Sequence, residues 1–294
     1  MGNRSNFRHW FQAAWFALTN GYGKGFLEGK IYQGPTKVLC VPGLNCYSCP
    51  GALGSCPIGS LQAVLDSSKF TFSCYVFGFL MIFGSLLGRV VCGWLCPFGF
   101  VQDMVYKIPG VSKEKNLPGH KILRFLPYFI LVVFVILLPS LVVDIMGTGS
   151  PWFCEYICPS GTLLAGVPLV LMNGSLRMTA GLRFVWKVGI LIILLLLSIK
   201  IYRPFCKYLC PLGAIYGVMN PVSFYRFKID KKQCIKCKAC QKVCPINIKV
   251  YKHPNSAECI RCGACKAICP KGAIASTLDN LRRKDVQEQR NENK

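Results

Sequence analysis

The stretch Cys92-Gly93-Trp94-Leu95-Cys96-Pro97-Phe98-Gly99 closes one apolar run and opens a short amphipathic one. Its pattern, Cys-x3-Cys-Pro-x-Gly, returns as Cys154–Gly161 and again as Cys206–Gly213. A looser fourth copy starts at Cys49 and ends Cys56-Pro57-Ile58-Gly59. Two cysteines are half of a four-ligand site, so the units must meet in pairs. Each proline suits the first turn of a following helix, where its missing N–H costs nothing. The second cysteine then stands at a helix N-terminus, where the dipole and free N–H groups favour a thiolate.

The C-terminal cysteines carry the most specific signal. Cys234-x2-Cys237-x2-Cys240-x3-Cys244-Pro245 is followed by Cys259-x2-Cys262-x2-Cys265-x3-Cys269-Pro270. This is the two-cluster ferredoxin run, whose fourth cysteine crosses to the other cluster. Cys234, Cys237, Cys240 and Cys269 are therefore assigned to one [4Fe–4S] cluster, and Cys244, Cys259, Cys262 and Cys265 to the other. Zinc is not expected, because zinc sites seldom use two such complete runs.

Nineteen cysteines in 294 residues, spaced as repeated ligand units, point to metal rather than disulfides. Hydrophobic residues make up 52% and mean hydropathy is +0.40, which places a membrane class first. The formal charge is +23. Nucleic acid is the common partner of so basic a chain. Here the lysines flank apolar spans, so a membrane charge bias accounts for them and no nucleic acid is expected.

Three strong spans are predicted at 70–91, 122–143 and 184–201, each near the length that ~30 Å of hydrocarbon demands. A weaker one covers 7–27, with Arg8, His9, Gln12 and Lys24; a cleaved signal peptide is not expected there. Gly161–Met172 is too short to span and reads as an interfacial or re-entrant helix. The loop 106–124 holds Lys107, Lys113, Lys115, Lys121 and Arg124 against Glu114, so it is expected in the cytoplasm. The stretch 144–182 holds Asp144 and Glu155 against Arg177 and is expected outside. Basic residues after Ile201 put the tail inside. Four crossings then leave both termini in the cytoplasm of a bacterial or archaeal membrane, with Trp94, Trp152 and Trp186 at lipid interfaces.

The predicted fold is an all-α polytopic membrane bundle of span–CysPro–helix repeats plus a C-terminal α+β two-cluster ferredoxin domain. Its divisions are 1–69, an N-terminal helix and Cys-rich loop; 70–225, the bundle; 226–275, the ferredoxin domain; and 276–294, a polar tail. Topology proposes the pairing. Cys92, Cys96, Cys206 and Cys210 follow spans that end inside and form an inner-face [4Fe–4S] site. Cys154 and Cys158 follow a span that ends outside and share an outer site with two of Cys46, Cys49 and Cys56. Arg89 and Lys207 are expected to add positive charge near the clusters. Cys74 reads as an inert packing cysteine; Cys40 is left open. The three histidines, His9, His120 and His253, lie outside the strong spans, so haem within the bundle is not expected.

These residues resemble the membrane polyferredoxins of the NapH and NosR type, also described as 4Fe–4S binding membrane proteins. The resemblance rests on Cys92–Gly99, Cys154–Gly161, Cys206–Gly213 and the ferredoxin tail. The stretch Pro42–Pro50 resembles an N-terminal variant of the family. This chain departs from the simplest members in its third doublet and its outer cysteines. The resemblance implies electron movement between quinol, cytoplasmic donors or acceptors and extracytoplasmic partners, often flavin-bearing. Four clusters, and a quinone, are the cofactors expected. A relay from the tail through the inner to the outer cluster is one reading. A one-sided quinol-oxidising subunit and a maturation or redox-sensing factor are the others. Clusters at opposite ends of ~30 Å of hydrocarbon would be too far apart for one fast step, so the relay needs them deeper or bridged.

Overall fold

The computed structural model describes residues 2–65, 74–142 and 149–279, with side chains from Asn6 onward. Expectations for Phe70, for Asp144 and for the tail beyond Asp279 lie outside the described residues. Helices make up most of the structure. Helix α1 is Gly2–Thr19. It ends where Thr19 and Asn20 turn their side chains back onto the Trp15 and Phe16 carbonyls, a local competition that these residue types favour. The predicted 7–27 segment is thus split, and a short helix Gly23–Glu28 follows. Helix α1 is not an apolar span: Arg8 and Gln12 are buried at 8% and 2% exposure.

Two helices among the described residues are long and apolar enough to cross a membrane. They are α2, His120–Leu141, and α3, Leu182–Lys200. Both coincide with predicted spans. A π-helical stretch, Leu131–Leu137, interrupts α2, flanked by Pro127 and Pro139, which remove helix donors. The other predicted span, described from Cys74, breaks before its expected end. Cys74–Leu86 ends at a turn, and Val90–Trp94 continues in a new direction. Gly88 makes that turn with φ 55°, and a Cβ there would lie 2.8 Å from Asn220 Oδ1. Pro159–Met172 is helical throughout and apolar.

The C-terminal segment is closed by β1, Phe227–Ile229, antiparallel to β2, Ile274–Ser276, with Phe227 opposite Ser276. Two short helices lie between them, Ala239–Lys242 and Ala264–Ile268. The segment is docked rather than tethered. Arg261 donates to the Leu87 carbonyl at 3.1 Å and to Ser223 Oγ at 2.7 Å. Asn220 donates to the Ser256 and Cys259 carbonyls. Trp94, expected at a lipid interface, instead donates its indole to the Arg261 carbonyl. One buried apolar core runs through both parts, including Phe98, Phe205, Tyr216, Phe227 and Ile260. Phe98 and Phe205 meet edge to face at 5.2 Å, a geometry that adds to their burial.

A charged knot fastens α1 to this core. Asp103 accepts from Arg203 Nε at 2.7 Å, from Arg8 at 3.1 Å and from Gln12 at 3.3 Å. Burial alone would raise the Asp103 carboxyl; Arg203 first, then Arg8, overcome that and hold it below its ordinary value. Its contribution to stability is therefore complete above the unfolded value of about 3.9. It is lost only as pH falls through the lower folded value.

Two outcomes follow from this packing. Asp103→Asn leaves two buried guanidinium groups without their counterion and should cost about 3–5 kcal/mol, read as a lower melting temperature at pH 7. Gly93→Ala puts a methyl group 2.3 Å from the Ile260 carbonyl. It should raise hydrogen exchange at the docking seam around 256–262, with an overpacking cost of about 1–3 kcal/mol.

Candidate metal centres

In the tail, the cysteines gather as their spacing predicts. Cys234, Cys237, Cys240 and Cys269 line one cavity of about 30 Å3. Cys244, Cys259, Cys262 and Cys265 line another of about 20 Å3. Burial pushes the Cys259 thiol up to about 12, and Cys262 and Cys244 add to that rise. Thiols that line one gap, Cys259 and Cys265 buried among them, are stable as thiolates when a metal takes up their charge. The second site faces the bundle, because Cys262 lies within electrostatic reach of Arg8 and Arg203.

The inner site is assembled from two units that cross. Burial raises Cys210 well above its ordinary value, and Cys206, Cys92 and Cys96 raise it further. Cys92 rises to about 11 and Cys206 to about 12 for the same first reason, burial. Cys96 caps helix Pro97–Tyr106, its sulfur accepting from Gly99 N at 3.4 Å. Cys210 caps Pro211–Met219 and accepts from Gly213 N at 3.3 Å. Arg89, from one unit, donates to the Gly213 carbonyl of the other at 2.8 Å. Arg203 answers from the opposite side: it donates to the Cys92 carbonyl, and a Cβ on Gly99 would stand 3.1 Å from its Nη1. Each arginine lies three residues before its unit's first cysteine, a repeat that the sequence reading, which singled out Arg89 alone of the two, missed. Arg203 holds φ at 50°, unusual for a side chain this large, and Asp103 secures it.

The outer site repeats the design. Cys158 accepts from Gly161 N at 3.5 Å, and Cys56, pushed by burial up to about 12, accepts from the backbone of Gly59 and Ile58. Burial, and then Cys158, Cys56 and Cys46, raise the Cys154 thiol, and the four cysteines line a cavity of about 580 Å3. A Cβ on Gly161 would lie 3.5 Å from the Cys46 sulfur. The structure therefore brings Cys46, rather than Cys49, to this quartet. Cys49 does not line this cavity; it packs with Ala52, Leu164 and Ala165, beside Cys46. Lys187 donates to the Cys154 carbonyl at 3.1 Å and Lys37 to the Ala52 carbonyl at 2.9 Å, supplying positive charge from the walls.

Loop 40–46, expected on the far face from the inner site, reaches it. A Cβ on Gly43 would lie 2.6 Å from the Leu95 carbonyl and 2.9 Å from Cys96 Cα. Tyr216, fully buried, donates to the Pro42 carbonyl at 3.1 Å. Helix α1 gives the scale. Gln12 bonds beside the inner site at Gly93, while the Thr19 carbonyl accepts from Asn45 and Leu53 beside the outer one. Seven residues of helix rise about 10 Å.

Other candidates fall elsewhere. Lys207 does not face the inner site. It donates to the Lys115 carbonyl at 3.1 Å and the Ile246 carbonyl at 3.5 Å, beside the ferredoxin segment and Cys244. Burial pushes its pKa down to about 8, against the pull of Glu258 and Cys244. Its position one residue after Cys206, on the far side of a short helix, explains the difference. Cys74 is exposed; buried Cys40 hydrogen-bonds Ser55 and Ser60. Glu155 pairs with Arg183 rather than Arg177. Among the described residues, no three of His, Cys, Asp and Glu are close enough to hold a single metal ion. Four thiols standing apart around a gap suit a cluster, whose core separates its ligands.

Comparison with known proteins agrees with this donor chemistry. A 4Fe–4S binding domain matches three stretches, 70–116, 125–171 and 182–232, each containing one Cys-x3-Cys-Pro-x-Gly unit. A 4Fe–4S dicluster domain matches 226–270. An uncharacterized protein of Methanocaldococcus jannaschii is 33% identical over 58% of this chain and 64% of its own length. The ferredoxin-type protein NapH of Haemophilus influenzae is 32% identical over 56% of this chain and 51% of its own length. The regulatory protein NosR of Stutzerimonas stutzeri is 29% identical over 55% of this chain and 20% of its own length. The chain thus spans less than two thirds of these relatives. No solved structure matches it. With three 4Fe–4S repeats and a dicluster segment in one chain, this protein belongs to the polyferredoxins of the NapH and NosR type.

Proposed function

We propose that this chain is a membrane-embedded relay that passes electrons one at a time through four [4Fe–4S] clusters. The ligand sets are Cys234/Cys237/Cys240/Cys269, Cys244/Cys259/Cys262/Cys265, Cys92/Cys96/Cys206/Cys210 and Cys46/Cys56/Cys154/Cys158. The observation that carries the reading is contiguity. All cysteines of the last three quartets except Cys46 belong to or pack on one buried core, and Gly43 joins the outer loop to the backbone of an inner ligand. Bound clusters would supply reversible one-electron storage. The chain's own residues hold the thiolates, exclude water and set the charge around them.

Membrane placement is supported by α2 and α3, of whose apolar windows only 22% and 17% are buried against protein. The core helix of a soluble protein would be largely covered. Ile122, Leu141, Leu182 and Leu196 stand 60–84% exposed along them, which water would penalise and lipid would not. The basic loop packs beneath the ferredoxin segment, with Lys115 donating to the Lys242 carbonyl at 3.0 Å. Loop and tail therefore share a side, in keeping with a cytoplasmic ferredoxin domain at 226–275, a bundle at 70–225 and both termini inside. The tail meets a cytoplasmic donor or acceptor. The outer cavity, whose walls carry Lys37 and Lys187, faces a quinone or an extracytoplasmic flavoprotein or reductase.

The test is iron, sulfide and EPR on anaerobically prepared protein. Four clusters are expected per chain; two would confine metal to the tail. Cys46→Ser should remove one cluster's worth of iron and leave the rest. Cys49→Ser and Cys74→Ser should remove none. Loss at Cys49 with retention at Cys46 would overturn the outer ligand set.

A further inference from the structure

Six residues after the second cysteine of two units stands a glutamine: Gln102 after Cys96, and Gln62 after Cys56. Both are buried, at 1% and 0% exposure. Each reaches across to the first cysteine of the facing unit, but with opposite ends. Gln102 donates Nε2 to Cys206 Sγ at 3.3 Å, while its Oε1 accepts from Phe205 N at 3.2 Å. Gln62 spends its Nε2 on the Phe134 carbonyl at 3.1 Å and sets Oε1 3.1 Å from Cys154 Sγ. Backbone partners fix both orientations. Rotating Gln102 would set its NH2 against a backbone N–H; rotating Gln62 would set its oxygen against a carbonyl.

Without iron, the Cys154 thiol has a proton to give that oxygen. As a cluster ligand it has none, and a carbonyl dipole then points its negative end at the sulfur. At Cys206 an N–H points its positive end there. Reduction adds one electron, and so one negative charge, to a cluster and its sulfurs. A donor to sulfur stabilises the reduced state and an acceptor destabilises it. Both sites have net positive surroundings: Arg89 and Arg203 with Asp103 stand at the inner one, Lys37 and Lys187 at the outer.

We propose that Gln102 and Gln62 are potential-setting residues that pull the two bundle clusters apart, raising the inner potential and lowering the outer. The pair favours the transfer in which the outer cluster is oxidised by one electron and the inner is reduced by one. This rests on the four-cluster reading and adds to it a built-in bias.

The experiment is an EPR-monitored redox titration of the full-length protein and three variants, each with its iron counted. Gln102→Leu should move one midpoint negative, with about a tenfold fall in the reduced-to-oxidised ratio at fixed potential, which is 59 mV for one electron. Gln62→Leu should move a different midpoint positive. Gln102→Glu, nearly the same in shape, should move the first midpoint further negative than leucine does, an order that a purely structural role would not produce. Four clusters with unmoved midpoints, or both variants moving one centre in one direction, would overturn the inference and leave the relay standing. Two clusters in the unmodified protein would instead overturn the relay.

Discussion

A thiolate buried away from water must find compensation, and the Cys-Pro-x-Gly turn provides it four times in this chain. Proline starts a helix without an unpaired donor, and the N-cap cysteine then receives the N–H of the glycine three residues on. The partner packs close over that position: a Cβ on Gly99 or Gly213 would stand 3.1 Å from Arg203 or Arg89, and one on Gly161 would meet Cys46 at ordinary contact distance. The turn is thus both half a metal site and half an interface. Pairing two turns completes both at once, which is why the units cross instead of standing alone.

The same packing decides where the sites lie. The sequence expectation puts the inner and outer quartets at opposite ends of spans, yet loop 40–46 folds back until Gly43 touches the Cys96 backbone. The rise of α1 between their contacts is about 10 Å, against ~30 Å for a full hydrocarbon layer. The ferredoxin segment is drawn in by the same means, with Gly93 against Ile260 and Arg261 gripping three backbone and side-chain oxygens. Buried ion pairs at Asp103 are weak sources of net stability; their effect here is to fix α1, Arg203 and the inner turn in one register.

Much of this was legible in the sequence because cysteine spacing encodes ligand geometry. The gathering of the tail cysteines around two gaps, and of Cys92 and Cys96 near Cys206 and Cys210, follows from spacing and charge bias, and α2 and α3 follow from apolar length. The choice of Cys46 over Cys49 did not, because three nearby cysteines differ only in which way a loop turns. Arg203, Gln62 and Gln102 were legible in principle: aligning the units on their Cys-Pro pairs repeats an arginine before the first cysteine and a glutamine after the second. Lys207 stands by Cys244 of the tail and not by the inner quartet, because proximity in sequence says nothing about helix face. The break at Gly88 and the docking at Gly93 depend on contacts with residues more than a hundred positions away, which no local pattern carries.

The central claim is that the cysteine quartets form one closely spaced chain of redox centres. The most direct measurement is EPR of the fully reduced protein, followed as Gly43→Val lifts the outer loop from Cys96. Magnetic interaction linking the signals of all four clusters, with the inner–outer part lost in the variant at unchanged iron content, is the predicted result. Four magnetically independent signals, or coupling confined to the two tail clusters, would contradict it.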